Sequence, residues 1–115
     1  MVQFVHPAKD EITLDGVLAA LADPIRLMIV YSLMTEEDCL SCKAASPCPK
    51  IAKSTLSNHF RILREAGLVR TTKRGVENRN ELREHDINDR FPGLLKNVMK
   101  LALKEAENNR LLPQN

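Results

Sequence analysis

The most constraining feature of this 115-residue chain is a change of hydrophobic period at Gly67. Ahead of it, Leu56, Phe60 and Leu63 recur at helical spacing, with Ser54, Asn58, Arg61 and Glu65 on the opposite side and Ser57 between. Glycine accepts the positive φ that ends a helix, so Gly67 stops a helix running from Ser54 through Ala66. Behind it, Leu68-Val69-Arg70-Thr71-Thr72 reads as a strand, Arg74-Gly75-Val76 as a turn, and the stretch from about Asn78 to Leu82 as a return strand. A helix that hands over directly to a hairpin leaves few small folds open.

The rest of the chain reads as helices. Leu14, Val17, Leu18 and Leu21 mark a first helix ending at Ala22. Asp23-Pro24 opens a second, because Asp caps free backbone N–H groups and Pro fits the first helical position. Its apolar face is Ile25, Met28, Ile29 and Leu33, and it stops near Thr35. Cys39 to Lys53 is the least regular part: Ser41 suits the cap of a short helix over Cys42-Lys43-Ala44-Ala45, but Pro47 and Pro49 forbid a continuous one. A long final helix is expected from Phe91 to about Leu112, capped by Asn88 or Asp89, with Pro92 in its first turn. Its apolar residues spread over more than one stripe, more than one small core can cover. That makes Leu94, Leu95, Val98, Leu101 and Ala102 a candidate homodimer face, with the first helix as its partner. The expected fold is mainly α with a small β-hairpin: a winged helix-turn-helix, built as a single domain over residues 1–115.

Charge is distributed unevenly. Met1 to Pro49 carries three basic and seven acidic residues, Lys50 to Arg83 nine basic and three acidic, and Glu84 to Asn115 five of each. The whole basic excess therefore falls on the helix-and-hairpin segment, as on a surface made to meet a polyanion. With three Phe, one Tyr and no Trp, the core must come from aliphatic residues and Met, which favours packed helices.

These residues carry a family resemblance. Ala20-Leu21-Ala22-Asp23-Pro24-Ile25-Arg26-Leu27 resembles the opening of the core in ArsR-type repressors. The run from Ser54-Thr55-Leu56-Ser57-Asn58-His59-Phe60 through Arg64-Glu65-Ala66-Gly67-Leu68-Val69 resembles that family's recognition helix and its exit into the wing. The likeness runs from about Leu14 to Leu103, and it implies a transcriptional repressor that binds double-stranded DNA as a homodimer.

The residue chemistry agrees. A helix lying in the major groove needs a polar, unbulky outer face. Ser54, Thr55, Ser57 and Asn58 are short hydrogen-bonding residues, and Asn can pair with adenine through both side-chain atoms. Lys53, Arg61 and Arg64 suit phosphates, and Arg70, Lys73, Arg74 and Arg79 flank the wing, within reach of the DNA backbone or the minor groove. Ser54 also suits the cap of its own helix, and His59, beside the buried stripe, reads as a packing residue. His6 is expected to be solvent-exposed.

Cys39 and Cys42, with Cys48 six residues on, leave three readings: small thiols buried at a helix junction, a redox or thiol-modification switch, or a thiolate site for a soft metal or arsenite. The first is favoured, since the resembling family's sensing motif is Cys-x-Cys rather than Cys-x-x-Cys, so no cofactor is expected. The family's other metal site lies on the last helix; here that helix has no His, His85 and Asp86 precede it, and the site is read as absent. Two competing functions stay open: a winged-helix module that docks only on protein, and a thiol-disulfide redox protein using Cys39 and Cys42. No catalytic triad, paired-carboxylate cleft or phosphate-binding Gly loop is evident, so an enzyme is not expected. Without a membrane-length apolar run or a signal-like N-terminus, the expected location is the cytoplasm.

Overall fold

A computed structural model describes residues 4–35, 40–41 and 51–111. After a 3-10 turn at Lys9–Glu11 come α1 (Leu14–Leu21), α2 (Pro24–Thr35), β1 (Leu40–Ser41), α3 (Lys53–Glu65), β2 (Val69–Arg74), β3 (Glu77–Leu82), α4 (Glu84–Arg90) and α5 (Leu94–Leu111). The strands form one antiparallel sheet in the order β1-β3-β2. This is a winged helix-turn-helix. No single described helix is long and apolar enough to cross a membrane.

Local chemistry explains most boundaries. Thr13 caps α1 by accepting the Gly16 N–H at 3.1 Å. Asp23 caps α2, its Oδ1 accepting from Ile25 N at 2.8 Å and Arg26 N at 3.1 Å. α3 closes in a Schellman arrangement: Gly67 N donates to Arg64 O and Leu68 N to Leu63 O, both at 3.0 Å, with Gly67 at φ +86°. In the hairpin Arg74 pairs with Glu77, which leaves Gly75-Val76 as a two-residue loop with Gly75 at φ +62°.

The core gathers Ile12, Val17 and Leu21 with Ile29, Val30 and Leu33 of α2. Phe60 and Leu63 of α3 join them, as do Leu68, Val69, Ile87, Leu95 and Met99. It is aliphatic but for Phe60 and Met99, as the composition requires.

Leu40–Ser41 forms an edge strand, with Leu40 opposite Asn80 and Ser41 opposite Arg79, and the short helix expected over Cys42-Lys43-Ala44-Ala45 lies outside the described residues. Two expectations need correction. The C-terminal segment is two helices rather than one starting at Phe91, so Asn88 and Asp89 lie inside α4 instead of capping α5. Pro92 has no N–H to continue α4 and disfavours helical geometry at Phe91, while Gly93 turns the chain at φ +80°. Finally, Leu95 is 1% exposed within its own protomer and has no surface to offer a second copy. Leu94 and Val98 are half-buried against the same core, Ala102 is half-buried, and Leu101 is 66% exposed.

The first residues of the described chain run as an arm along α4 and the base of the hairpin. Arg83 Nη1 donates to Pro7 O at 2.7 Å and Arg90 Nη2 to Ile12 O at 2.6 Å, and Lys9 pairs with Asp89.

Candidate nucleic-acid interface

α3 separates its faces sharply. Phe60 and Leu63 are fully buried and Leu56 packs on them, whereas Lys53, Ser54, Thr55, Ser57, Asn58 and Arg61 are exposed. The helix begins at Lys53, one residue earlier than expected, and Ala52 holds the cap position without a side-chain bond. Ser54 is therefore not the cap, and its hydroxyl stays on the outer face. His59 is buried, as expected of a packing residue, with Nδ1 3.2 Å from Arg26 Nη1. A guanidinium can only donate, so Nδ1 is the acceptor there. Arg26 Nε also donates to Ala20 O at 2.6 Å, which ties the α1–α2 corner to the back of α3.

The outer face is organised by a trio. Arg61 Nη1 donates to Glu65 Oε1 and Oε2 at 3.0 and 3.1 Å, and Nη2 donates to Asn58 Oδ1 at 2.6 Å. Asn58 thus turns its oxygen toward Arg61 and leaves its amide N–H groups as outward donors. A two-atom contact with adenine would use the second lone pair of Oδ1 together with one amide N–H, so Arg61 can hold the side chain while it reads a base. The i,i+3 and i,i+4 spacings of Asn58, Arg61 and Glu65 were the sequence signal for this trio, which the reading of single residues missed.

Arg64 does not share that face. Its guanidinium lies over the Phe4 ring, 4.5 Å from the centroid, and Nη1 makes a long bond of 3.4 Å to Thr71 Oγ1. It braces the end of α3 against the wing and the arm, where the sequence suggested a phosphate contact.

The wing presents two unlike faces, since successive strand residues alternate. Val69 and Thr71 are buried, and Lys73 continues their face outward past Asn80 and Asn78. Arg70, Thr72 and Arg74 lie on the other face, opposite Glu81, Arg79 and Glu77. Lys73 and Arg74 are exposed, whereas Arg79 is half-buried and pairs with Glu77 at 3.3 Å. Basic residues near the hairpin tip are therefore Lys73 on one face and Arg74 on the other, the latter partly balanced by Glu77.

At the wing base, buried Thr71 Oγ1 and Asn80 Oδ1 are 2.6 Å apart, the hydroxyl donating. Thr71 N–H points out of the sheet edge and donates to His6 Nε2 at 2.9 Å. His6 is thus not a free surface residue. Burial, then the charges of Arg70, Arg83 and Arg64, hold its pKa below the ordinary histidine value. Cys39, Cys42 and Cys48 lie outside the described residues, as do Pro47 and Pro49; among the described residues no group of three or more His, Cys, Asp or Glu is placed to hold a metal.

Comparison with known proteins places this surface. A helix-turn-helix domain family matches residues 21–72, which span α2, α3 and the start of the wing. The HTH-type transcriptional regulator YceK of Bacillus subtilis is 37% identical over 82 residues, covering 71% of this chain and 82% of that one. The HTH-type regulator MJ1325 of Methanocaldococcus jannaschii is 36% identical over 62 residues, covering 54% and 68%. Among solved structures, the repressor BigR of Xylella fastidiosa superposes with a TM-score of 0.60 at 26% identity, over 76% of this chain and 84% of that one. An ArsR-like regulator from Rhodococcus sp. RHA1 shares the fold, with a TM-score of 0.57 at 22% identity over 89% and 94%. The exposed polar helix, the basic hairpin beside it and these relatives agree: the chain belongs to the HTH-type transcriptional regulators, with a winged helix-turn-helix fold like that of the ArsR-like regulator.

Proposed function

We propose that the protein is a sequence-specific repressor that binds a two-fold-related operator as a homodimer. The observation that carries this is the outer face of α3: Lys53, Ser54, Thr55, Ser57, Asn58 and Arg61 are exposed together, beside a hairpin bearing Lys73 and Arg74. In this reading α3 enters the major groove, with Ser57 and Asn58 at base edges and Ser54 and Thr55 behind them. Lys53, Arg61, Lys73 and Arg74 meet phosphates, which fix register but carry little sequence information. Arg64 and Arg79 act from behind, by holding the helix end and the wing.

Two-fold assembly is supported by apolar surface that the protomer leaves uncovered. Leu14 and Leu18 on α1 are 47% and 44% exposed, and Leu101 and Leu103 on α5 are 66% and 44% exposed. Leu94, Val98 and Leu101 recur at i, i+4 and i+7, beside the inward stripe of Leu95 and Met99. A dimer through these helices pairs two copies of α3 about one DNA turn apart. The repressor role is supported by the likeness to BigR.

The test is recovery of genomic fragments on the immobilised protein, followed by footprinting and sedimentation. A protected site with two-fold symmetry and a dimeric protein are the expected results. Binding of random and recovered duplexes with equal affinity, or a monomer at micromolar concentration, would overturn the reading.

A further inference from the structure

The contacts of the N-terminal arm converge on the joint between α3 and the wing. Phe4 lies under the Arg64 guanidinium, His6 Nε2 accepts from Thr71 N–H, and Pro7 O accepts from Arg83. Thr71 is the hub. Its backbone holds the arm, while its hydroxyl holds Asn80 on β3 at 2.6 Å and meets Arg64 of α3 at 3.4 Å. β2 is an edge strand, because the sheet order is β1-β3-β2, and its outward N–H at Thr71 is satisfied by the imidazole.

We propose that His6 is a positioning residue for DNA recognition: its neutral imidazole clips the arm to the edge of the wing, and its protonation unclips it, so that operator affinity falls on acidification. The chemistry is local. An imidazolium has two donors and no acceptor, so a protonated Nε2 faces the Thr71 N–H donor to donor. The charged groups around His6 are cations from every element packed on it: Arg64 from α3, Arg70 from β2, and Arg83 from the β3–α4 junction. Asp86 pairs with Arg83 through contacts of 3.1 Å, and the charges of Arg70, Arg83 and Arg64, in that order, act against an imidazolium. The folded pKa lies below the unfolded one, so the folded state binds fewer protons than the unfolded chain. The clip is therefore complete above the unfolded value of about 6.5 and is lost as pH falls through the lower, folded one. Loosening it frees the arm from both recognition elements at once.

The inference rests on the DNA-binding reading above, and the experiment separates the two. A duplex recovered by selection on the wild-type protein at pH 8 is titrated between pH 8 and pH 5 with wild type, His6→Gln and His6→Ala. Gln keeps an acceptor that does not titrate, and Ala has none. Wild-type affinity should fall roughly two- to tenfold on acidification, the fold-change of one ordinary hydrogen bond. His6→Gln should hold the high value across the range, and His6→Ala the low one. The Thr71 amide resonance, followed without DNA, should titrate in the wild type and stay fixed in His6→Gln, a readout that needs neither DNA nor the fold of the Ala variant. Equal profiles for wild type and His6→Gln overturn the proposal. So does a wild-type affinity that rises on acidification, which would make the imidazolium a phosphate contact. Failure to select any duplex at pH 8 overturns the DNA-binding reading instead and leaves the amide titration to decide the clip.

Discussion

Replacing Gly67 by Ala tests how the recognition helix is joined to the wing. A Cβ at this position would stand 2.5 Å from Ile12 Cγ1 and 2.7 Å from Cδ1, with Ile12 Cβ at 3.4 Å. Ile12 is 1% exposed, so its side chain cannot swing into solvent. Two costs add. Holding a non-glycine residue at positive φ costs about 1–2 kcal/mol. Forcing methyl-sized volume into a packed site costs about 1–3 kcal/mol. The narrower unfolded ensemble of alanine returns about 0.4–1 kcal/mol. Gly67→Ala should therefore destabilise by about 2–4 kcal/mol in urea unfolding at fixed protein concentration. Ile12→Ala removes both close atoms and leaves only the 3.4 Å contact. In that background the same change should cost only the backbone part, a coupling of about 1–3 kcal/mol. Gly67→Asn, which tolerates the left-handed region better, should recover part of the backbone cost and none of the steric one. Strict additivity of Gly67→Ala and Ile12→Ala would refute the assignment of Ile12 as the wall behind Gly67.

Further outcomes are expected at other positions. Asn58→Ala should cost roughly 1–3 kcal/mol per half-site on the operator and relax preference at particular base pairs. Lys73→Ala should instead weaken operator and random duplex alike and flatten the salt dependence by about one unit of slope per phosphate lost; salt titrations of both duplexes separate the two. Leu101→Asp should turn a dimer into a folded monomer by sedimentation, whereas Leu95→Asp should unfold the protomer, because Leu101 is 66% exposed and Leu95 is 1% exposed. Thr71→Val keeps the side-chain shape but removes the donor to buried Asn80 Oδ1, and should lower stability by about 1–3 kcal/mol in chemical denaturation.

Much of the scaffold was legible because it rests on local chemistry. Asp23-Pro24 and Gly67 are capping signals that act within a few residues, and the Leu56-Phe60-Leu63 stripe needs only a helix and something apolar to face. The same locality explains the failures. Glu84–Arg90 carries a single apolar residue within the helix that reaches the core, Ile87, so no periodicity announced it. Tertiary contacts hold that segment instead, through the arm's contacts with Asp89 and Arg90, beside the local Arg83–Asp86 pair.

The sequence by itself determined the winged helix-turn-helix order, the basic middle third and the polar outer face of the recognition helix. Each is a property of neighbouring residues and of spacings within one element. Only the tertiary structure decided which of the basic residues stand outward. Arg64 turns to Phe4 and Thr71, and Arg79 to Glu77, while Lys53, Lys73 and Arg74 remain exposed on the surface. The same holds for Leu95 and Leu101, six residues apart on one helix, where packing of α5 on the core buries the first and leaves the second exposed. His6 is the sharpest case, since the Thr71 N–H it accepts lies 65 residues along the chain. No local pattern encodes such a contact, because it exists only once the sheet edge has formed and the arm has folded back against it.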